Sequence, residues 1–433
     1  MTKTITPQAA RQLIHCNGEV ALLDLRDAGP FSMGHPLFAI PLPLDDLPGR
    51  VGHLVPRVCA SILLIDEDGA EGGRAARAAG ALETMGYSDI RVVEGGVSGW
   101  EAAGYTLYEG VNVPSKTLGE LAELIWHPKM LTATDLANWQ DEGRGFHFFD
   151  CRPPREYEKM RVPGALCLPN GEIAHRLPAL PDDRPLVLTC AGRTRGLIGA
   201  ISLAQISTRE IYALENGTQG WALEGYALQR DNSSAAYPAL DEAGRDETRA
   251  RAADFLEEEN IPTVDAAGLT DFLRDPDRTT YLIDVRSEQE AATDPLPGFV
   301  HALSGQLVQS TDQWVGVRKA RVVLADDLGL RAGLAAWWLR MLGYEPVVTL
   351  VDDALRGLEP RQLPQPDADV LAALAGSAKT EAPAPGTGQL ASDIAWFAHG
   401  RHDGNLDASR LYLSWEMGLV AQLDPEERAQ FHL

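Results

Sequence analysis

Leu186-Val187-Leu188-Thr189-Cys190-Ala191-Gly192-Arg193-Thr194-Arg195-Gly196 runs from a short apolar segment through a cysteine into a loop with two glycines and two arginines. Leu197, Ala200, Ile201 and Ala204 follow at the i, i+3, i+4, i+7 spacing of one helix face. The pattern predicts a buried strand, a tight loop and a helix. A cysteine at such a junction sits where loop N–H groups and the helix dipole converge, and both favour the thiolate. Arg193 and Arg195 add positive charge, and settings of this kind lower a cysteine pKa. The thiolate is the nucleophile, so Cys190 is the candidate for covalent chemistry. Its bland counterpart is an inert buried cysteine that happens to end a strand.

Working outward, the same arrangement occurs three times. An apolar run ending in Asp-x-Arg appears as Leu22-Leu23-Asp24-Leu25-Arg26, as Phe148-Phe149-Asp150-Cys151-Arg152 and as Leu282-Ile283-Asp284-Val285-Arg286. The intervals between them are domain-sized. A second strand pattern follows each: Ser61 to Ile65, Leu186 to Thr189, and Val322 to Ala325. A third comes at Ile90 to Val93, Ile211 to Leu214, and Pro346 to Val351. The first two repeats then close on Glu94-Gly95-Gly96-Val97-Ser98-Gly99-Trp100 and Glu215-Asn216-Gly217-Thr218-Gln219-Gly220-Trp221, and the third keeps a worn version, Val351 to Gly357. Continuous apolar strands alternating with helices predict parallel sheets covered on both faces, with chemistry at the carboxyl ends of the strands.

The expected class is α/β: three tandem domains over 1–108, 128–230 and 260–360, then a linker and helical tail over 361–433. Glu109 to His127 and Arg230 to Pro262 read as linkers, the second partly helical, and Pro360 to Gln389, with five prolines amid Ala and Gly, as a flexible one. At 433 residues the chain has room for three cores. Its 62 acidic against 38 basic side chains, a net charge of −24, argue against nucleic-acid and anionic-membrane partners but leave small anions open. Five cysteines without a CxxC pair make neither a disulfide scaffold nor a zinc site, and the histidines lack zinc-finger spacing. Met1 to Ala10 lacks a signal pattern, and no apolar run is long enough for a membrane helix. A reduced, cytoplasmic location is expected.

Asp150-x-Arg152 with Glu156-Tyr157, Val162-Pro163-Gly164-Ala165, the Cys190 to Arg195 loop and Gly217 to Trp221 together resemble the rhodanese (sulfurtransferase) family. The resemblance covers roughly Ala9 to Arg356 and is strongest from Asp150 to Gly225. It implies three rhodanese-like domains, each a parallel sheet flanked by helices. It also implies a cysteine that takes a sulfane sulfur from thiosulfate or another persulfide donor and hands it to cyanide or a thiol. Related dual-specificity phosphatases use a Cys-x5-Arg loop; here Arg195 is the fifth residue after Cys190, so the loop is of the shorter, sulfurtransferase type. The Cys-Gly-Ser-Gly loop that mercaptopyruvate enzymes resemble is absent. Arg161 stands where relatives tend to have His.

On this reading Cys190 is catalytic, and Ala191, Gly192, Arg193, Thr194, Arg195 and Gly196 bind the substrate. Their N–H groups hold the thiolate and then the persulfide, and the arginines attract a small anionic donor and acceptor, with a protein acceptor also open. No organic cofactor or metal is expected. Asp66 and Asp326 fall at the Cys190 position of the other repeats. A carboxylate cannot carry transferable sulfur, so those repeats are expected to be inactive. Cys151 could be a resolving thiol or a packed strand residue. Asp150, Arg152 and Glu156 read as one ion-pair set holding the strand end, Glu172 as a pocket residue or helix cap, and His399 with His402 and Asp403 as solvated tail. Two rival functions are a scaffold or redox-sensing protein and a Cys-dependent phosphatase.

Overall fold

The computed structural model describes residues 3–374 and 405–433. Three parallel sheets follow one another along the chain. The first has the order Thr4–Ile5, Asp89–Val93, Ser61–Ile65, Val20–Asp24, Ile40–Pro41. The second repeats it with Met130–Leu131, Ile211–Leu214, Leu186–Thr189, His147–Asp150, Leu166–Cys167. The third runs Glu345–Leu350, Arg321–Asp326, Thr280–Asp284, Val300–His301, which is the same order without the first edge strand. At that edge Thr263 makes a lone parallel bridge to Val348. The central strand of each sheet therefore ends where Asp66, Cys190 or Asp326 stands.

Each Asp-x-Arg motif locks a strand end. Asp24, Asp150 and Asp284 accept two-pronged hydrogen bonds from Arg26, Arg152 and Arg286, with the shorter prong at 2.6–2.7 Å. The same guanidiniums donate to the carbonyls of Gly34, Met160 and Asp294 and so fix the chain that returns to the sheet edge. Glu156 accepts from Arg195, and its charge also acts on Arg152, so the expected ion set extends to Arg195.

Alternation along the strands sorts side chains between cores. Phe149 and Leu188 face a large core that runs through all three sheets, and Phe148 and Val187 face a smaller one behind the second sheet. Helix Thr194–Ile206 crosses the shared core and is buried from Thr194 through Leu203, because other units cover the faces a lone domain would leave wet. Trp338 of the third unit donates to Ser202 on this helix at 2.8 Å.

Parts of all three predicted linkers are helical for the same reason, and residues 375–389 of the last lie outside the described residues. Val113–Trp126, inside the expected Glu109 to His127 linker, is a helix buried from Ser115 through Ala122. Gly119 brings it close to the helix Thr194–Ile206, for a β-carbon there would lie 3.1 Å from the Thr194 methyl. Ala368–Leu374 is helical, with Val370 and Leu374 in the shared core. Glu242–Glu258 buries Thr248, Ala252 and Phe255. The end of the chain forms helices Leu406–Met417, Leu419–Gln422 and Pro425–Arg428. His399, His402 and Asp403 lie outside the described residues. No described helix is long and apolar enough to cross a membrane.

Candidate active site

Cys190 closes the strand Leu186–Thr189, and helix Thr194–Ile206 starts four residues later. The loop between is held from below by the turn before the next helix. Asn216 and Gly217 both adopt left-handed backbone, φ 57° and 53°. That lets Thr218 N–H donate to the Cys190 carbonyl at 2.8 Å and Gln219 N–H to the Ala191 carbonyl at 3.2 Å. Position 217 needs glycine twice over, because a β-carbon would sit 2.3 Å from the Cys190 carbonyl oxygen.

The sulfur lies under the helix start, 3.7 Å from where a Gly196 β-carbon would be. Backbone N–H groups of Gly196 and Gly192 point at it. Burial pushes the thiol pKa up; the Arg195 charge and the two N–H groups pull it down, and the Glu416 carboxylate pushes it up again. The net direction is upward, opposite to the lowering the loop alone suggests. Two causes were not visible in the loop: the thiol is only 2 % exposed, and a carboxylate from the end of the chain stands nearby.

Both loop arginines are engaged by carboxylates. Arg195 donates to both oxygens of Glu156, at 2.7 and 2.8 Å, and to Gln306 of the third unit at 3.1 Å. Arg193 donates to Glu120 at 2.8 and 3.1 Å, to Asn216 at 3.2 Å, and to Glu123. Burial raises the Glu120 pKa to about 7 against the pull of Arg193. Thr194 donates its hydroxyl to Glu416 Oε1 at 2.5 Å. Of the remaining expected site residues, Ala191 and Gly192 form the loop and Gly196 the first turn of the helix.

Sequence reasoning missed the residues that roof this site. Lys116 comes from Val113–Trp126, and Tyr412 and Glu416 from Leu406–Met417. Lys116 Nζ lies 3.4 Å from Glu416 Oε1 and donates to the Tyr412 hydroxyl. Nothing local around Lys116, in Val113-Pro114-Ser115-Lys116-Thr117-Leu118, signals its burial. Cys151 is packed in the shared core, and burial raises its pKa well above the ordinary thiol value. Glu172 joins Arg176 at 2.8 Å and Arg331 at 2.6 Å, in an ion cluster between units. His175, Glu290 and Asp327 could together hold a metal ion by their spacing, but Arg331 already pairs with Glu290 and Asp327 there.

The rhodanese-like domain model fits residues 6–103 and 132–224. A crystal structure of a thiosulfate sulfurtransferase from Pseudomonas aeruginosa superposes with a TM-score of 0.87 at 29 % identity, over 100 % of this chain and 99 % of that one. A thiosulfate sulfurtransferase GlpE from Pseudoalteromonas translucida is 26 % identical over 72 residues, 17 % of this chain and 69 % of that protein. An HTH-type transcriptional regulator of Mycobacterium tuberculosis is 31 % identical over 106 residues, 24 % of this chain and 46 % of its own. This last match therefore spans less than half of the regulator. The two matched segments, 6–103 and 132–224, are rhodanese-like domains.

Proposed function

We propose that the chain is a sulfurtransferase with one working site, at Cys190. The observation that carries this reading is a thiol at the strand end beneath the N–H groups of Gly192 and Gly196, where the equivalent loops carry carboxylates. The Cys190 thiolate attacks the outer sulfur of thiosulfate. The sulfur–sulfur bond breaks with its electron pair leaving on sulfite, and a Cys190 persulfide forms. Cyanide or a thiol then takes the outer sulfur and returns the thiolate. The loop N–H groups from Ala191 to Gly196 hold the anion at each stage, and Arg195 contributes charge while Glu156 fixes its direction. The neighbours titled thiosulfate sulfurtransferase support the donor class.

The segments 1–108 and 260–360 are rhodanese-like domains without transfer chemistry, and 128–230 is the active one. Five free cysteines suit a reducing cytoplasm. The reaction uses no metal or organic cofactor, and a protein thiol is a possible class of acceptor. Thiocyanate formation from thiosulfate and cyanide tests the reading. Wild type turns over and Cys190→Ser does not; equal turnover in both refutes it, and silence in both favours a scaffold or thiol sensor.

A further inference from the structure

The roof over Cys190 has the composition of an occupied anion site. Glu416 has no exposed surface, yet it belongs to a helix more than two hundred residues beyond the loop it covers. One carboxylate oxygen is shared by Thr194 Oγ1 at 2.5 Å and Lys116 Nζ at 3.4 Å. The other oxygen is buried without a hydrogen-bond partner among the described residues. It lies across the cysteine loop, 3.3 Å from where a Gly192 β-carbon would be. Gln219 reaches the same spot, with its amide nitrogen 3.5 Å from that point, and neither of its buried amide atoms has a partner among the described residues. Lys116 is sealed in by the rings of Tyr412 and Trp415, 4.9 and 5.5 Å from their centroids.

A carboxylate facing a cysteine that must become anionic, and must meet an anionic donor, works against that chemistry. A buried ammonium without a counter-charge is equally unfavourable. The two facts fit together if Glu416 stands in for the ligand. We propose that helix Leu406–Met417 is a displaceable plug of the Cys190 site. On withdrawal of Glu416, Lys116 and Thr194 Oγ1 take the oxyanion end of the donor, with Gln219 supplying a further hydrogen bond. The proposal rests on Cys190 being the sulfur acceptor. Donor and Glu416 then compete for one ammonium, so an anion of the right shape favours the open state by its preference for it. Burial works against the Lys116 ammonium, yet in the docked state Glu416 and Tyr412 outweigh it and hold the amine pKa above its usual value; when the helix leaves, the incoming anion takes over that role.

The test uses the full chain and does not depend on turnover. Alkylation of Cys190 by neutral iodoacetamide is followed through the mass of its peptide, with and without inorganic sulfate. Glu416→Gln is expected to speed alkylation about tenfold, and Leu413→Asp, which undocks the helix from its apolar side, to do the same. Sulfate is expected to protect Cys190 in Glu416→Gln, and the added change Lys116→Met to abolish that protection while alkylation stays fast. Circular dichroism melts confirm that each variant is folded. Wild-type alkylation rates in both helix variants overturn the plug, and sulfate protection that survives Lys116→Met overturns the subsite. Failure of sulfur transfer itself shows in the thiocyanate assay, whatever these rates are. Where transfer occurs, Glu416→Gln lowers the KM for thiosulfate about tenfold and the double variant raises it again.

Discussion

At the end of Arg321–Asp326 the Asp326 carboxylate accepts from the N–H groups of Asp327 and Arg331, both at 2.9 Å, and from the Arg331 guanidinium at 2.8 Å. At the end of Ser61–Ile65 the Asp66 carboxylate accepts from the N–H groups of Gly69 at 2.7 Å and Ala75 at 2.8 Å. At the end of Leu186–Thr189 the same position holds a thiol, with Gly192 and Gly196 N–H groups around it. All three strand-to-helix loops thus form an anion cradle. Two are filled permanently by their own carboxylate, which ties the helix start to the sheet. The third holds a thiol, which on the proposed function becomes an anion only during the reaction. The difference teaches that the cradle is a property of the fold, and the chemistry a property of one side chain placed in it.

Giving the Cys190 loop the carboxylate of its counterparts is the harshest way to break this contrast. Cys190→Asp is expected to lower sulfur transfer by at least about a thousandfold, because no persulfide can form. Its thermal midpoint is expected to stay near wild type, since the cradle accepts a carboxylate. Residual transfer within tenfold of wild type would defeat the comparison. The reverse contrast concerns stability. Asp326→Ala removes an acceptor from a fully buried arginine that also binds Glu172, Glu290 and Asp327. A loss of about 3–5 kcal/mol in denaturant melts is expected. Cys190→Ala is expected to cost about 1 kcal/mol in the same assay, and equal losses would erase the distinction between a structural and a chemical loop.

A smaller effect separates positioning from charge at Arg195. Arg195→Lys keeps the charge but loses the two-pronged bond to Glu156 and the contact to Gln306. Cyanide-dependent turnover is expected to fall about tenfold through kcat, with KM for thiosulfate nearly unchanged. A rise in KM with kcat unchanged would instead make Arg195 a direct donor-binding residue. The mildest effect is on pH. Cys190 is faced by Arg195 and the loop N–H groups, by Glu416 from the final helix, and by the neighbouring thiol of Cys151. A raised thiol pKa means that thiolate appears only at more alkaline pH. The alkylation rate of Cys190 should therefore rise with a midpoint above that of an ordinary exposed thiol in wild type. The midpoint should move down in Glu416→Gln.

The repeated Asp-x-Arg strands, the sheet class and the Cys190, Asp66 and Asp326 positions could be read from sequence because each depends on neighbours a few residues away. Strand runs such as Leu186 to Thr189 carry their burial in their own composition. What surrounds the loop could not be read. Glu120, Glu156, Gln306 and Glu416 reach Thr194 and the two loop arginines from four different elements, so no local spacing announces them. Val113–Trp126 passed for a linker because its buried sides are covered by other units, which blurs the one-faced periodicity expected of a helix on a single core. The direction of the Cys190 pKa failed for the same reason: local dipoles favour the thiolate, while burial and Glu416 come from the tertiary arrangement.

The most direct measurement is the mass of each cysteine-bearing peptide after the wild-type chain has been exposed to thiosulfate in the absence of an acceptor. The peptide that holds Cys190 is expected to gain one sulfur atom and to lose it when cyanide is added, with the peptides of Cys16, Cys59, Cys151 and Cys167 unchanged. Sulfur on one of those four, or an unmodified Cys190 in a chain that still forms thiocyanate, would contradict a single working cradle at Cys190.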